Sequence, residues 1–111
     1  MTTKNRTIAL LLTGSNQDVY TAPANYEVEV GSLLVNNATS STVTFSLDWY
    51  ESAETTYHTI AETVELPANS LMQITEGFWL GKNDKIRGLA STTDAVTVFL
   101  SLKENFVPQG L

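Results

Sequence analysis

Three kinds of side chain in this sequence could do chemistry: a histidine, several closely spaced carboxylates, and a group of tyrosines and tryptophans. His58 is the only imidazole, and cysteine is absent. A catalytic triad needs a nucleophile and an orienting group around the base, and no such motif surrounds His58. A zinc-type site built on imidazole needs several ligands where this chain offers one. Lying beside Tyr57 and in phase with Ile60, His58 reads as a partly buried structural histidine. Carboxylates are paired at Glu27/Glu29, Glu51/Glu54 and Glu62/Glu65. Glycoside hydrolysis needs two acids held ~5–9 Å apart across a cleft. Glu27 and Glu29 instead alternate with Val28 and Val30, which points both carboxylates outward as solvated charges that discourage strand-to-strand aggregation. Asn83 and Asp84 lack the Asp-x-Asp spacing of a calcium loop, so Asp84 is expected to bond its own turn. No catalytic set, metal site or cofactor site emerges, and the chain reads as a non-enzyme.

The aromatic residues invite a different chemistry. Trp49, Tyr50, Tyr57, Phe78 and Trp79 could form a platform on which sugar rings stack. Trp49 shares its phase with Val43, Phe45 and Leu47 and is therefore assigned to the core. Phe78 and Trp79 are adjacent, so one of them faces outward if the segment is extended. Tyr50, Tyr57 and Trp79 remain as the contacts of an alternative function, a carbohydrate-binding (lectin-like) module.

The elements that must carry these residues are short and extended. No window holds helical periodicity over three turns. The organising stretch is 64–90, read as strand, turn, strand, corner and strand. Pro67-Ala68-Asn69-Ser70 turns the chain, Gly77 breaks the next strand, and Gly81-Lys82-Asn83-Asp84 turns it again. Val43, Phe45, Leu47 and Trp49 alternate with Thr44, Ser46, Asp48 and Tyr50, the clearest strand in the sequence. Val96, Val98, Leu100 and Leu102 form the core face of the last strand. Ile8–Leu12 is apolar on both alternating faces, which suits a strand covered on both sides. At Gly31-Ser32 the phase slips, which predicts a bulge.

About eight strands at ~8–12-residue spacing predict one all-β domain, an antiparallel β-sandwich of jelly-roll type. Pro23-Ala24-Asn25 and Pro67-Ala68-Asn69 each precede a strand and then a glycine break, as two similar halves of a jelly roll would. The boundaries read as a flexible segment at 1–6, a domain at 7–104 and an extended tail at 105–111. The 111 residues suffice for one packed core without disulfides.

The formal charge of −6 is unevenly placed. No lysine or arginine lies between Thr7 and Gly81, while nine acidic residues do. Such a surface repels phosphate backbones, so nucleic-acid binding is disfavoured. No apolar run reaches the ~20 residues of a membrane span, and no signal-type segment opens the chain. Leu11 and Phe99 fall on the outward phases of the first and last strands. Another subunit or the tail would cover such a face, and scattered exposed apolar residues explain it equally well. In the tail, Phe106, Val107 and Leu111 are apolar, and Pro108 blocks continuation of a sheet. The tail is therefore expected to leave the domain and lie on a neighbour or a particle.

Gly31-Ser32-Leu33-Leu34-Val35-Asn36-Asn37, Leu66-Pro67-Ala68-Asn69-Ser70, Leu80-Gly81-Lys82-Asn83-Asp84-Lys85-Ile86 and Val96 to Glu104 together resemble small virion proteins of tailed phages, the decoration or tail-associated β-sandwich modules. The resemblance implies a non-enzymatic subunit that forms a homo-oligomer, a trimer before a dimer, and binds a capsid or tail protein. It places the chain in the virion, assembled in the host cytoplasm, and transfers no functional residue.

Overall fold

A computed structural model of the chain describes residues 3–74 and 76–107. Nine strands are found among them: β1 (Thr3–Leu11), β2 (Gln17–Thr21), β3 (Tyr26–Asn37), β4 (Val43–Glu51), β5 (Thr56–Leu66), β6 (Ser70–Ile74), β7 (Phe78–Leu80), β8 (Lys85–Ala90) and β9 (Val96–Phe106). The expected eight become nine because one strand is broken around Gly77 into β6 and β7, both of which pair with β3.

Two antiparallel sheets face each other. One runs β1-β9-β3-β6, with β7 also on β3; the other runs β2-β8-β4-β5. The pairings nest: β1 with β9, β2 with β8, β3 with β6 and β7, and β4 with β5. A long antiparallel ribbon folded over itself gives this order, the jelly roll. The two Pro-Ala-Asn turns occupy equivalent corners. Each leaves an edge strand of the second sheet, β2 or β5, and enters a strand of the first, β3 or β6.

The core lies where the alternation predicted it. Val43, Phe45 and Leu47 of β4 are buried against Val96, Val98, Leu100 and Leu102 of β9, Leu33 and Val35 of β3 and Ile86 of β8. Thr44, Ser46 and Asp48 take the outer side and are half-buried. Trp49 is also half-buried, packing on the edge of the core rather than within it. In β3 the register against β9 slips between Val30 and Ser32, leaving Gly31 as the bulged residue. The slip keeps Val28 and Val30, and then Leu33 and Val35, on the inner side.

Three expectations are corrected here. The chain enters its first strand at Thr3, so Lys4, Asn5 and Arg6 belong to a ladder with β9 rather than to a flexible segment. At the other end Asn105 and Phe106 are still in β9, opposite Glu27 and Tyr26, so they do not begin a free tail. Polar residues hid both ends, because a ladder is held by backbone bonds that hydrophobic periodicity does not report. Finally, β1, an edge strand, is covered on one face only. Ile8 and Leu10 are half-buried on the core, and Ala9 and Leu11 are exposed.

Polar knots pin the loops. Asn37 is buried, its Nδ2 reaching the carbonyls of Ser41, Leu66 and Pro67 and its Oδ1 accepting from the backbone N–H and hydroxyl of Thr39. Asp84 does bond its own turn, accepting from Gly81 N–H at 2.9 Å. It also accepts from Ser52 N–H at 2.9 Å and Trp49 Nε1 at 3.3 Å, which ties the β4–β5 loop to the β7–β8 turn.

Candidate interaction surface

The outer face of the five-stranded sheet is organised by register. Two neighbouring cross-strand rows read Leu11, Thr97, Asn36, Leu71 and Ala9, Phe99, Leu34, Gln73. Leu11 is 44% exposed and Leu71 58%, while Leu34 and Phe99 are half-buried. Four large apolar side chains thus share one patch on an outer face of the sandwich. Leu11 and Phe99 were visible in the sequence by strand phase. Leu34 and Leu71 were missed, because only the pairing of β3 with β9 and β6, and the slip at Gly31, brings them beside the others.

Further along the same face the rows turn polar: Thr7, Ser101, Ser32, and then Asn5, Lys103, Glu29, Trp79. An open hollow of about 460 Å³ lies here around Gly31, lined by Asn5, Thr7, Glu29, Ser101 and Lys103 among others. Trp79, at the end of that row, is 56% exposed, and Phe78 turns inward onto the core, as adjacent strand residues must. Beside them a mostly apolar cleft of about 320 Å³ opens at the sandwich edge, lined by Trp49, Ile60, Ile74, Phe78 and Trp79.

The aromatic platform does not form as a unit. Tyr50 and Tyr57 belong to the second sheet, their ring centroids 4.7 Å apart, whereas Trp79 belongs to the first. Around the tyrosines, the Arg87 guanidinium lies 3.5 Å from the Tyr57 ring centroid and donates from Nε to Asp48 Oδ2 at 2.9 Å. Lys85 Nζ sits 5.3 Å from the Tyr50 centroid and 3.4 Å from Asp18. The cations thus hold the tyrosine rings in place on the surface, a favourable cation–π geometry.

His58 is exposed rather than partly buried. Its ring stacks on Trp49 at 4.7 Å, and its Nε2 lies 3.0 Å from Glu51 Oε1. The register sets His58 opposite Trp49, so it shares the side of the indole, and beyond the edge of the core nothing among the described residues covers it. Of the proposed tail contacts, Phe106 packs edge-on against Tyr26 at 5.6 Å and Val107 N–H bonds Asn25 O at 2.7 Å. Both residues are thus engaged on their own sandwich. Leu111 lies outside the described residues.

At the same end of the molecule Glu104 is buried. It accepts from the Tyr20 hydroxyl and pairs with Arg6 at 3.1 Å. Burial first, and then the bond to Glu104, raises the Tyr20 pKa above the ordinary tyrosine value. Nothing in the local sequence signals this cluster, since a glutamate after Lys103 reads as the end of a strand.

No family model matches this chain, and no curated protein matches it. In structure it is similar to a chain of the Bacillus endospore appendages, described as disulfide-linked pili. That match has a TM-score of 0.57 at 14% identity and covers 96% of this chain and 88% of the other. It is also similar to a chain of the capsid of Helicobacter pylori bacteriophage KHP30, with a TM-score of 0.54 at 13% identity, covering 98% of this chain and 90% of that one. What is shared is the all-β sandwich fold. This sequence has no cysteine, so the pilus disulfides have no counterpart in it.

Proposed function

We propose that this chain is a non-enzymatic structural subunit of a phage virion that associates with copies of itself and binds a capsid or tail surface. The observation that carries this is the apolar patch of Leu11, Leu34, Leu71 and Phe99 on an outer sheet face. Burying apolar surface is favourable by roughly 25 cal/mol per Å², so a neighbour that covers the patch gains binding energy from it. The jelly-roll order, and the likeness in fold to a phage capsid chain, support the same assignment. In an assembly, many such weak contacts act together. Mass spectrometry of purified particles tests the assignment directly. The chain should be present at a fixed copy number, and its absence from particles of the phage that encodes it would end the proposal.

A second reading, glycan binding, has one observation in its favour. Tyr50 and Tyr57 lie side by side next to Asp48 and Arg87, so apolar ring surface adjoins polar groups able to bond hydroxyls. A glycan array decides it: binding that is lost in Tyr57→Ala would support this face, and a blank array would remove it.

A further inference from the structure

An open sandwich has four edge strands, and in this molecule three of them are blunted. The register of β5 slips twice against β4, and Thr63 takes a φ of 49°. Strand β2 has five residues and one slip against β8. Strand β6 has five residues, and β7, which follows it, has three. Short, bulged or twisted edges of this kind resist pairing with other chains.

Strand β1 has none of these features. Its nine residues pair with β9 in unbroken register, it holds no proline, and its two charges, Lys4 and Arg6, are confined to its first half, leaving Thr7 to Leu11 uncharged. Among the described residues no strand pairs with its outer edge. Four consecutive apolar residues, Ile8 to Leu11, lie on that edge, half-buried or exposed. A row of main-chain donors and acceptors beside uncovered apolar side chains is a template for a further strand.

We propose that β1 pairs antiparallel with β1 of a second copy, joining two five-stranded sheets across a two-fold axis. The pairing rests on the reading of the chain as a self-associating subunit, and it names the contact. The second copy is chosen because the strand is complementary to itself. Centred on Ala9, an antiparallel pair sets Ile8 of each copy opposite Leu10 of the other and Ala9 opposite Ala9. The apolar halves then meet. The Arg6 residues of the two copies stand six positions apart, about 20 Å at strand rise, so like charges stay separate. The joined sheet also makes the outer patch from Leu11 to Leu71 continuous with that of its mate.

The absence of cysteine makes the test direct. In Ala9→Cys the two sulfurs would face each other across the axis, within the ~4–7 Å Cα separation a disulfide requires. Mild oxidation should give a covalent dimer on a non-reducing gel. Ser101→Cys, exposed on β9 within the same sheet, should stay single. In sedimentation, Ala9→Lys should lose the dimer, because it sets two cations against each other across the axis, while its circular dichroism spectrum stays that of the wild-type fold. Leu71→Lys, at the far edge of the sheet, should keep it. Dimers that survive Ala9→Lys but disappear in Leu71→Lys would overturn the β1 pairing and leave the subunit assignment standing. A wild-type chain that stays monomeric at its highest soluble concentration would overturn both the pairing and self-association.

Discussion

The Tyr20 hydroxyl donates to Glu104 Oε2 at 2.5 Å, a bond between residues 84 positions apart. It joins β2, an edge strand of one sheet, to β9, near the middle of the other, with Arg6 of β1 completing the cluster. One buried carboxylate therefore holds together three strands and both layers.

Tyr20→Phe should cost about 1.5–3 kcal/mol, the range for a hydrogen bond to a charged partner. The effect should also depend on pH in a definite direction. Tyr20 keeps its proton in the fold to a higher pH than the ordinary tyrosine value of 10.0. Its contribution is therefore complete below pH 10 and is lost as the pH rises further. Urea melts of the two proteins should differ most near neutrality and converge above pH 10. A difference that widens in alkali would refute the linkage.

Gly88 is buried in β8, directly opposite Leu47 of the neighbouring strand β4. A Cβ there would lie 2.7 Å from Leu47 Cδ2 and 3.0 Å from the Ser46 carbonyl oxygen. Leu47 is fully buried and Ser46 O is main chain, so neither yields easily. Gly88→Ala should destabilise by about 1–3 kcal/mol through overpacking. At Gly14 the nearest atom to an added Cβ is 3.7 Å away. Gly14→Ala should therefore leave the melting temperature unchanged or raise it, as the unfolded chain loses freedom.

Asp84 accepts from two backbone N–H groups and an indole while itself buried. Asp84→Ala would strand these donors, at a cost of ~3 kcal/mol or more. Hydrogen exchange should speed up first at Gly81 and Ser52. Protection that is lost evenly across the molecule would mean that the two loops are not separately tied.

The residues that were legible in the sequence are those whose neighbours along the chain determine their fate. Phe45 and Leu47 alternate with Thr44 and Ser46, and Gly31 interrupts an otherwise regular strand, so core face and bulge could both be read locally. Leu34 and Leu71 could not. Each is unremarkable in its own strand, and only cross-strand register sets them beside Phe99 and Leu11. The same holds for Tyr50, Tyr57 and Trp79, which look alike in sequence but are divided between two sheets. For β1, periodicity showed apolar residues on both faces, but not that one of those faces is left open within a single copy.

That open face yields the last prediction. Leu11 and Leu71 stand at opposite margins of the patch, both substantially exposed, and threonine suits a strand as well as leucine does. A double variant, Leu11→Thr with Leu71→Thr, removes methyl groups that already face water. Its stability should stay within about 1 kcal/mol of wild type, since surface changes of this kind are small one by one and sites this far apart add. Binding to particles should nevertheless weaken, because the patch is what a capsid or tail surface would cover. Co-sedimentation with particles lacking the chain, alongside thermal melts, measures both effects. Unchanged binding by a folded double variant would show that the particle contacts some other surface, and the polar hollow around Gly31 on the same sheet would be the next to test.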